Sequence, residues 1–177
     1  MKTRDLLLCA MFAALTAVGA FIKIPFAFSA ITLQFFFTAL AGILLGAKKG
    51  ALSQIIYVAL GLLGLPVFTL GGGFGYVFYP TFGFLLGLIP AAFVIGHICG
   101  NSPSPRRIAL ACLAGLGVLY LMGLPYMALI LNVYQGRGMG VWALAMAGMI
   151  PYLPGDCVKI AACAFLAPRL LKRIKTN

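Results

Sequence analysis

The sequence predicts an all-α membrane protein, a six-transmembrane-helix bundle with both termini cytoplasmic. Three observations predict it. Of 177 residues, 63% are hydrophobic and 8% are charged, where a soluble domain carries about 25% charged residues. Apolar runs suited to a hydrocarbon core of about 30 Å recur along the chain. Lys and Arg concentrate in the breaks between those runs and at the two ends. Glu is absent and the only acids are Asp5 and Asp156. A water-facing surface cannot be made from this inventory, which excludes soluble globular, disordered and fibrous classes. Residues 1–177 read as a single integral membrane domain in the lipid bilayer.

The first run, Leu6 to Ile22, follows a basic start and ends at Lys23-Ile24-Pro25. It is too long for the apolar core of a signal peptide, and more spans follow it. The second, Ile31 to Ala47, closes at Lys48-Lys49-Gly50, and the third, Ala51 to Leu65, stops at Pro66. Residues 69–76 (TLGGGFGY) hold four glycines in five positions, a poor helix and a good irregular loop. The fourth run, Thr81 to Ile98, contains Pro90, which predicts a kink. The clearest hydrophilic break is Asn101 to Arg107. The fifth run, Ile108 to Val133, carries Pro125. Val141 to Ile150 reads as a short helix or re-entrant piece, and Cys157 to Leu171 as the sixth span.

Counting charges tests this topology. One side holds Lys2, Arg4, Lys48, Lys49, Arg106, Arg107, Arg169, Lys172, Arg173 and Lys175, the other Lys23 and Arg137. Ten against two predicts cytoplasmic termini. The formal charge of +11 is therefore topology signal and not a nucleic-acid groove. The Gly-rich loop and the Pro151–Asp156 segment then lie outside. The five cysteines lie in or beside apolar runs with no Cys-x-x-Cys, so neither a disulfide framework nor a metal site is expected.

Asp156 and Lys159 are three residues apart at the start of the last span, on one helical face. Charges at such depth usually face a bundle interior or a water-filled cavity. They read either as a structural ion pair or as ligand contacts, the carboxylate accepting N–H groups and the ammonium meeting an anion. The Gly-rich loop lacks the Gly-Lys-Ser/Thr of a nucleotide cradle. It either lines a cavity, with Tyr76 and Tyr79 supplying hydroxyls, or lies at the headgroup level. Ala10, Ala13, Ala14, Ala17 and Ala20 form a small-residue stripe that lets another helix approach closely, either within the chain or in a partner. His97 reads as an interfacial histidine and Trp142 as an interface anchor. One His, two Asp and no Glu leave little for an acid–base pair, so the chain is not expected to be an enzyme.

Several segments occur in a familiar order: Ala10–Ala20 (AMFAALTAVGA), Pro25, Ile31–Gln34 (ITLQ), Leu44–Gly50 (LLGAKKG) and Gly64–Phe68 (GLPVF). Pro80–Gly87 (PTFGFLLG) and Leu153–Lys159 (LPGDCVK) complete the set. Together they resemble the BioY family, biotin-binding S components of energy-coupling factor (ECF) vitamin transporters. The resemblance spans nearly the whole chain. Tyr79 and Phe82 depart from it, since Gly is common at both places. The resemblance implies a cell-membrane subunit with six helices and biotin bound near the extracytoplasmic side. It also implies a partner module of the coupling protein EcfT and ATPase subunits, with no cofactor in this chain. Asp156 and Lys159 fall on positions expected to touch biotin, and Gln34, Tyr76, Tyr79 and Tyr152 supply further contacts of suitable type. Ala10, Ala14 and Ala17 match the docking face for the coupling protein. An S component for another small vitamin, and a non-transporting membrane scaffold, are the alternatives.

Overall fold

The computed structural model describes residues 3–26, 29–101 and 103–176. Lys2 and Ser102 lie outside the described residues, as do the side chains of Arg173 and Lys175. The chain runs α1 (Thr3–Phe21), β1 (Lys23–Phe26), β2 (Ser29–Thr32), α2 (Gln34–Leu45), α3 (Ala47–Leu62) and α4 (Phe82–Cys99). It continues with α5 (Pro105–Ala128), α6 (Val141–Gly148) and α7 (Leu153–Thr176). Among the described residues, four helical segments are long and apolar enough to cross a membrane: Thr3–Phe21, Phe82–Cys99, Pro105–Tyr134 and Val141–Lys172.

The second apolar run departs from the expected helix. Residues 29–32 pair instead with β1 as an antiparallel ladder, Lys23 opposite Thr32 and Ile24 opposite Ile31. The helix starts only at Gln34, so α2 has 12 residues and is about 18 Å long, shorter than a bilayer core. Short β-branched apolar stretches read alike as strand or buried helix. Here the Leu33 N–H bonds Gly19 O at the end of α1, 3.0 Å away, and ties the hairpin to the bundle.

Small residues set the packing. Between α2 and α3 Gly46 adopts φ +81°, which permits a one-residue reversal. A Cβ at Gly42 would lie 2.6 Å from Ala92 O of α4, and one at Gly96 would strike the Ala47 backbone. In lipid, such close backbone approach replaces the hydrophobic contrast that drives packing in water. α4 packs along α5 and against α2 and α3, while α7 lies on α2 and α5. A buried polar knot joins the first three helices: Gln54 Nε2 donates to Thr16 and Ser53 hydroxyls, and Thr38 Oγ1 donates to Gln54 Oε1 at 3.0 Å. α4 runs through Pro90 as one helix. Beyond Pro125, α5 widens into a π-helical segment, Leu129–Tyr134, where Gln135 N–H reaches Ile130 O.

The two ends of the bundle differ. One carries the α2–α3 and α4–α5 connections and the start of α1, where Lys49 Nζ meets Asp5 Oδ1 at 2.6 Å. The other carries the hairpin, residues 63–81 and the start of α7, and it holds the candidate site.

Candidate functional site

The site grows from the first turn of α7. Pro154 is tolerated there, since first-turn N–H groups have no helical partner. The helix begins at Leu153, before the Pro-Gly, and Asp156 lies in its first turn. Asp156 and Lys159 are 4% and 8% exposed, and Lys159 Nζ donates to Asp156 Oδ1 at 2.7 Å. Across the interface, Tyr120 of α5 donates its hydroxyl to Asp156 Oδ2 at 2.6 Å. Both carboxylate oxygens are thus held, while each keeps spare lone-pair capacity.

These groups open into a cavity of about 90 Å³. Tyr120, Tyr152, Asp156 and Lys159 form one wall, and Thr32 and Gln34 another. Thr69, Tyr76 and Thr81 come from the Gly-rich loop and its exit, and Phe84, Leu85, Leu88 and Leu119 make an apolar floor. A few convergent polar groups over an apolar slot is the usual pattern of a small-molecule site.

Gln34 is fixed by neighbours at both ends of its amide. Its Nε2 donates to Tyr57 Oη at 2.8 Å, and Thr32 Oγ1 donates to its Oε1 at 2.9 Å. Tyr57 Oη in turn donates to Val67 O at 3.0 Å, which anchors the loop to α3. The loop is pinned elsewhere too. Phe68 is buried against Gly61, where a Cβ would overlap its ring. Gly73, at φ +100°, donates its N–H to Gly61 O at 2.7 Å. Lys23 of the hairpin donates to Thr69 O, and Tyr126 Oη donates to Val77 O at 2.6 Å. Residues 69–81 therefore place Thr69 and Tyr76 at the cavity and leave Phe74 and Phe78 exposed.

The structure brings together Asp156, Lys159, Gln34, Tyr76 and Tyr152 around one cavity. Tyr79 stands apart: it is 45% exposed and stacks on Tyr76 at 5.0 Å between ring centroids, outside the cavity lining. Within the loop Gly72 cannot carry a side chain, because a Cβ there would strike Leu65 O. The alanine stripe of α1 divides: Ala13 and Ala20 are buried in the bundle, Ala10 and Ala14 are exposed, and Ala17 is half-buried. Tyr120, Tyr57, Thr32, Thr69 and Thr81 were not read from the sequence. A signal existed for Tyr120, since a hydroxyl inside an apolar span has to find a partner.

Relatives place this architecture. The model of the BioY family matches residues 1–176. The probable biotin transporter BioY of Lysinibacillus sphaericus is 44% identical over 173 residues, covering 97% of this chain and 88% of that protein. The biotin transporter BioY of Thermotoga maritima is 37% identical over 170 residues, 96% of each chain. The crystal structure of the S-component for biotin from an ECF-type ABC transporter matches with a TM-score of 0.83 at 25% identity, over 97% of this chain and 95% of that one. The crystal structure of FolT bound with folic acid shares the fold, with a TM-score of 0.63 at 19% identity over 95% and 91% of the two chains. Similarity that holds from the first helix to the last, in sequence and in three dimensions, leaves one conclusion: the chain belongs to the BioY family.

Proposed function

We propose that this chain is the biotin-binding S component of an ECF uptake system in the cell membrane. Six spans place both termini in the cytoplasm, as the ten-to-two distribution of cations suggests. Energy comes from a partner module of the coupling protein EcfT and ATPase subunits, docked on the α1 face of exposed Ala10 and Ala14 and half-buried Ala17. Small side chains there leave room for a partner helix. The observation that carries the reading is the Asp156–Lys159–Tyr120 constellation, a buried ion pair at the wall of a cavity whose floor is apolar.

Biotin has a fused ureido–thiophane ring and a valerate tail. Asp156, held by Tyr120 and Lys159, accepts the ureido N–H groups. The Lys159 ammonium meets an anionic or carbonyl oxygen of the ligand. Gln34, Tyr76 and Tyr152 complete the polar contacts, and the Phe84–Leu88 surface takes the rings. Tyr79 supports Tyr76 from outside by stacking on its ring. The fold is shared with FolT, so the ligand assignment rests on these side chains and on family membership. Mass spectrometry of small molecules released from the purified protein, followed by calorimetry with biotin, tests it. Co-purified biotin and tight binding are expected. A different vitamin in the site, or no binding of any vitamin, overturns the assignment in favour of another S component or a scaffold.

A further inference from the structure

A second concavity lies at the opposite, basic end of the bundle. It is an apolar groove of about 330 Å³ between α1, α2 and α7. Leu8, Met11 and Leu15 of α1 wall it with Leu40 and Leu44 of α2 and Leu170 of α7. Arg4 completes the lining and is exposed. Positions 4, 8, 11 and 15 share one helical face, so a cation terminates an apolar stripe. The surroundings are basic. Arg169 and Lys172 flank Leu170 in sequence, and Lys48 and Lys49 follow Leu45. Asp5 offsets Lys49 of this cluster and Asp156 lies at the other end of the bundle in its own ion pair, so the cations at this end outnumber the one acid near them.

We propose that this groove binds an anionic phospholipid, with one acyl chain in the slot and the phosphate against Arg4. The lining matches hydrocarbon, which is the solvent on that side of the protein. Basic pockets between membrane helices recruit anionic headgroups, and here the excess of cations selects against a net-neutral lipid. The groove stripe of α1 lies roughly a third of a turn from the Ala10, Ala14 and Ala17 face. A seated lipid therefore leaves that face open.

The test compares phosphatidylglycerol with phosphatidylcholine of identical acyl chains, titrated into the full-length protein in detergent. Retained adducts are read by native mass spectrometry. The wild type should retain phosphatidylglycerol about fivefold better, the effect expected of one cation near an anionic headgroup. Arg4→Gln should bring that ratio close to one, and Leu8→Trp, which fills the slot, should lower retention of both lipids. Size exclusion and thermal unfolding report whether the variants fold. Should Leu8→Trp fail to fold, the wild-type ratio and exposed Arg4→Gln decide. Equal retention of the two lipids by the wild type overturns the proposal, as does an unchanged preference in Arg4→Gln. A folded Leu8→Trp that retains both lipids normally but no longer captures the coupling protein overturns it as well, and assigns the groove to that partner.

Discussion

Removing the carboxylate of Asp156 separates the two roles its geometry gives it, holding the bundle and holding the ligand. In Asp156→Asn the Lys159 ammonium stays buried and loses the counterion at 2.7 Å. Breaking a buried pair from one side costs about 3–5 kcal/mol. Lys159→Met leaves the carboxylate with the Tyr120 hydroxyl at 2.6 Å, so its cost is lower, about 1–3 kcal/mol. The double variant Asp156→Asn/Lys159→Met replaces both charges with neutral groups of similar shape. Such replacements are often close to neutral, so its stability should return to within about 1 kcal/mol of wild type. Binding should not return. Each lost charged contact to the ligand is worth about 1.5–3 kcal/mol, a weakening of roughly ten- to a hundredfold. Denaturant unfolding in detergent measures the first quantity, and calorimetry with biotin and an uncharged biotin ester measures the second. Lys159→Met should hurt the acid more than the ester, and Asp156→Asn both alike. A double variant that folds and binds biotin with the wild-type Kd would refute the reasoning and leave the pair purely structural.

Three further outcomes are expected. Ala14→Trp should abolish capture of the coupling protein while leaving biotin affinity unchanged, because a ring blocks close helix approach; normal capture would place the docking face elsewhere. In a cysteine-free background, Ser104→Cys and Gly138→Cys should label from opposite sides of the membrane with an impermeant maleimide, and labelling from one side would rule out the six-span topology. Tyr57→Phe should lower stability by about 1–3 kcal/mol, since Gln34 Nε2 loses its acceptor and Val67 O its donor; an unchanged unfolding midpoint would show that the loop is held without this relay.

The arrangement of the site was legible in part. Asp156 and Lys159 were readable as a pair because their contact is local, three residues along one helix. The Gly-rich segment was readable as irregular because glycine weakens helix wherever it stands. That Thr69 and Tyr76 line the cavity while Tyr79 stacks outside it was not readable. One short loop turns its neighbouring side chains to different surroundings, and its anchors come from α3, the hairpin and α5.

By itself the sequence determined the solvent, the basic end of the bundle and the charged pair at the start of the last helix. Each follows from transfer energies or from contacts within one helix. The tertiary structure alone decided that Tyr120 reaches Asp156 across 36 positions and Gln34 reaches Tyr57 across 23. It also decided that the alanines of α1 divide between core and surface, and that residues 29–32 leave their apolar run to form a strand. The physical reason is the membrane. In water, an amphipathic pattern announces which face of a helix turns inward. In lipid both faces are apolar, and helix rotation is set by small-residue contacts and scattered polar bonds between distant positions.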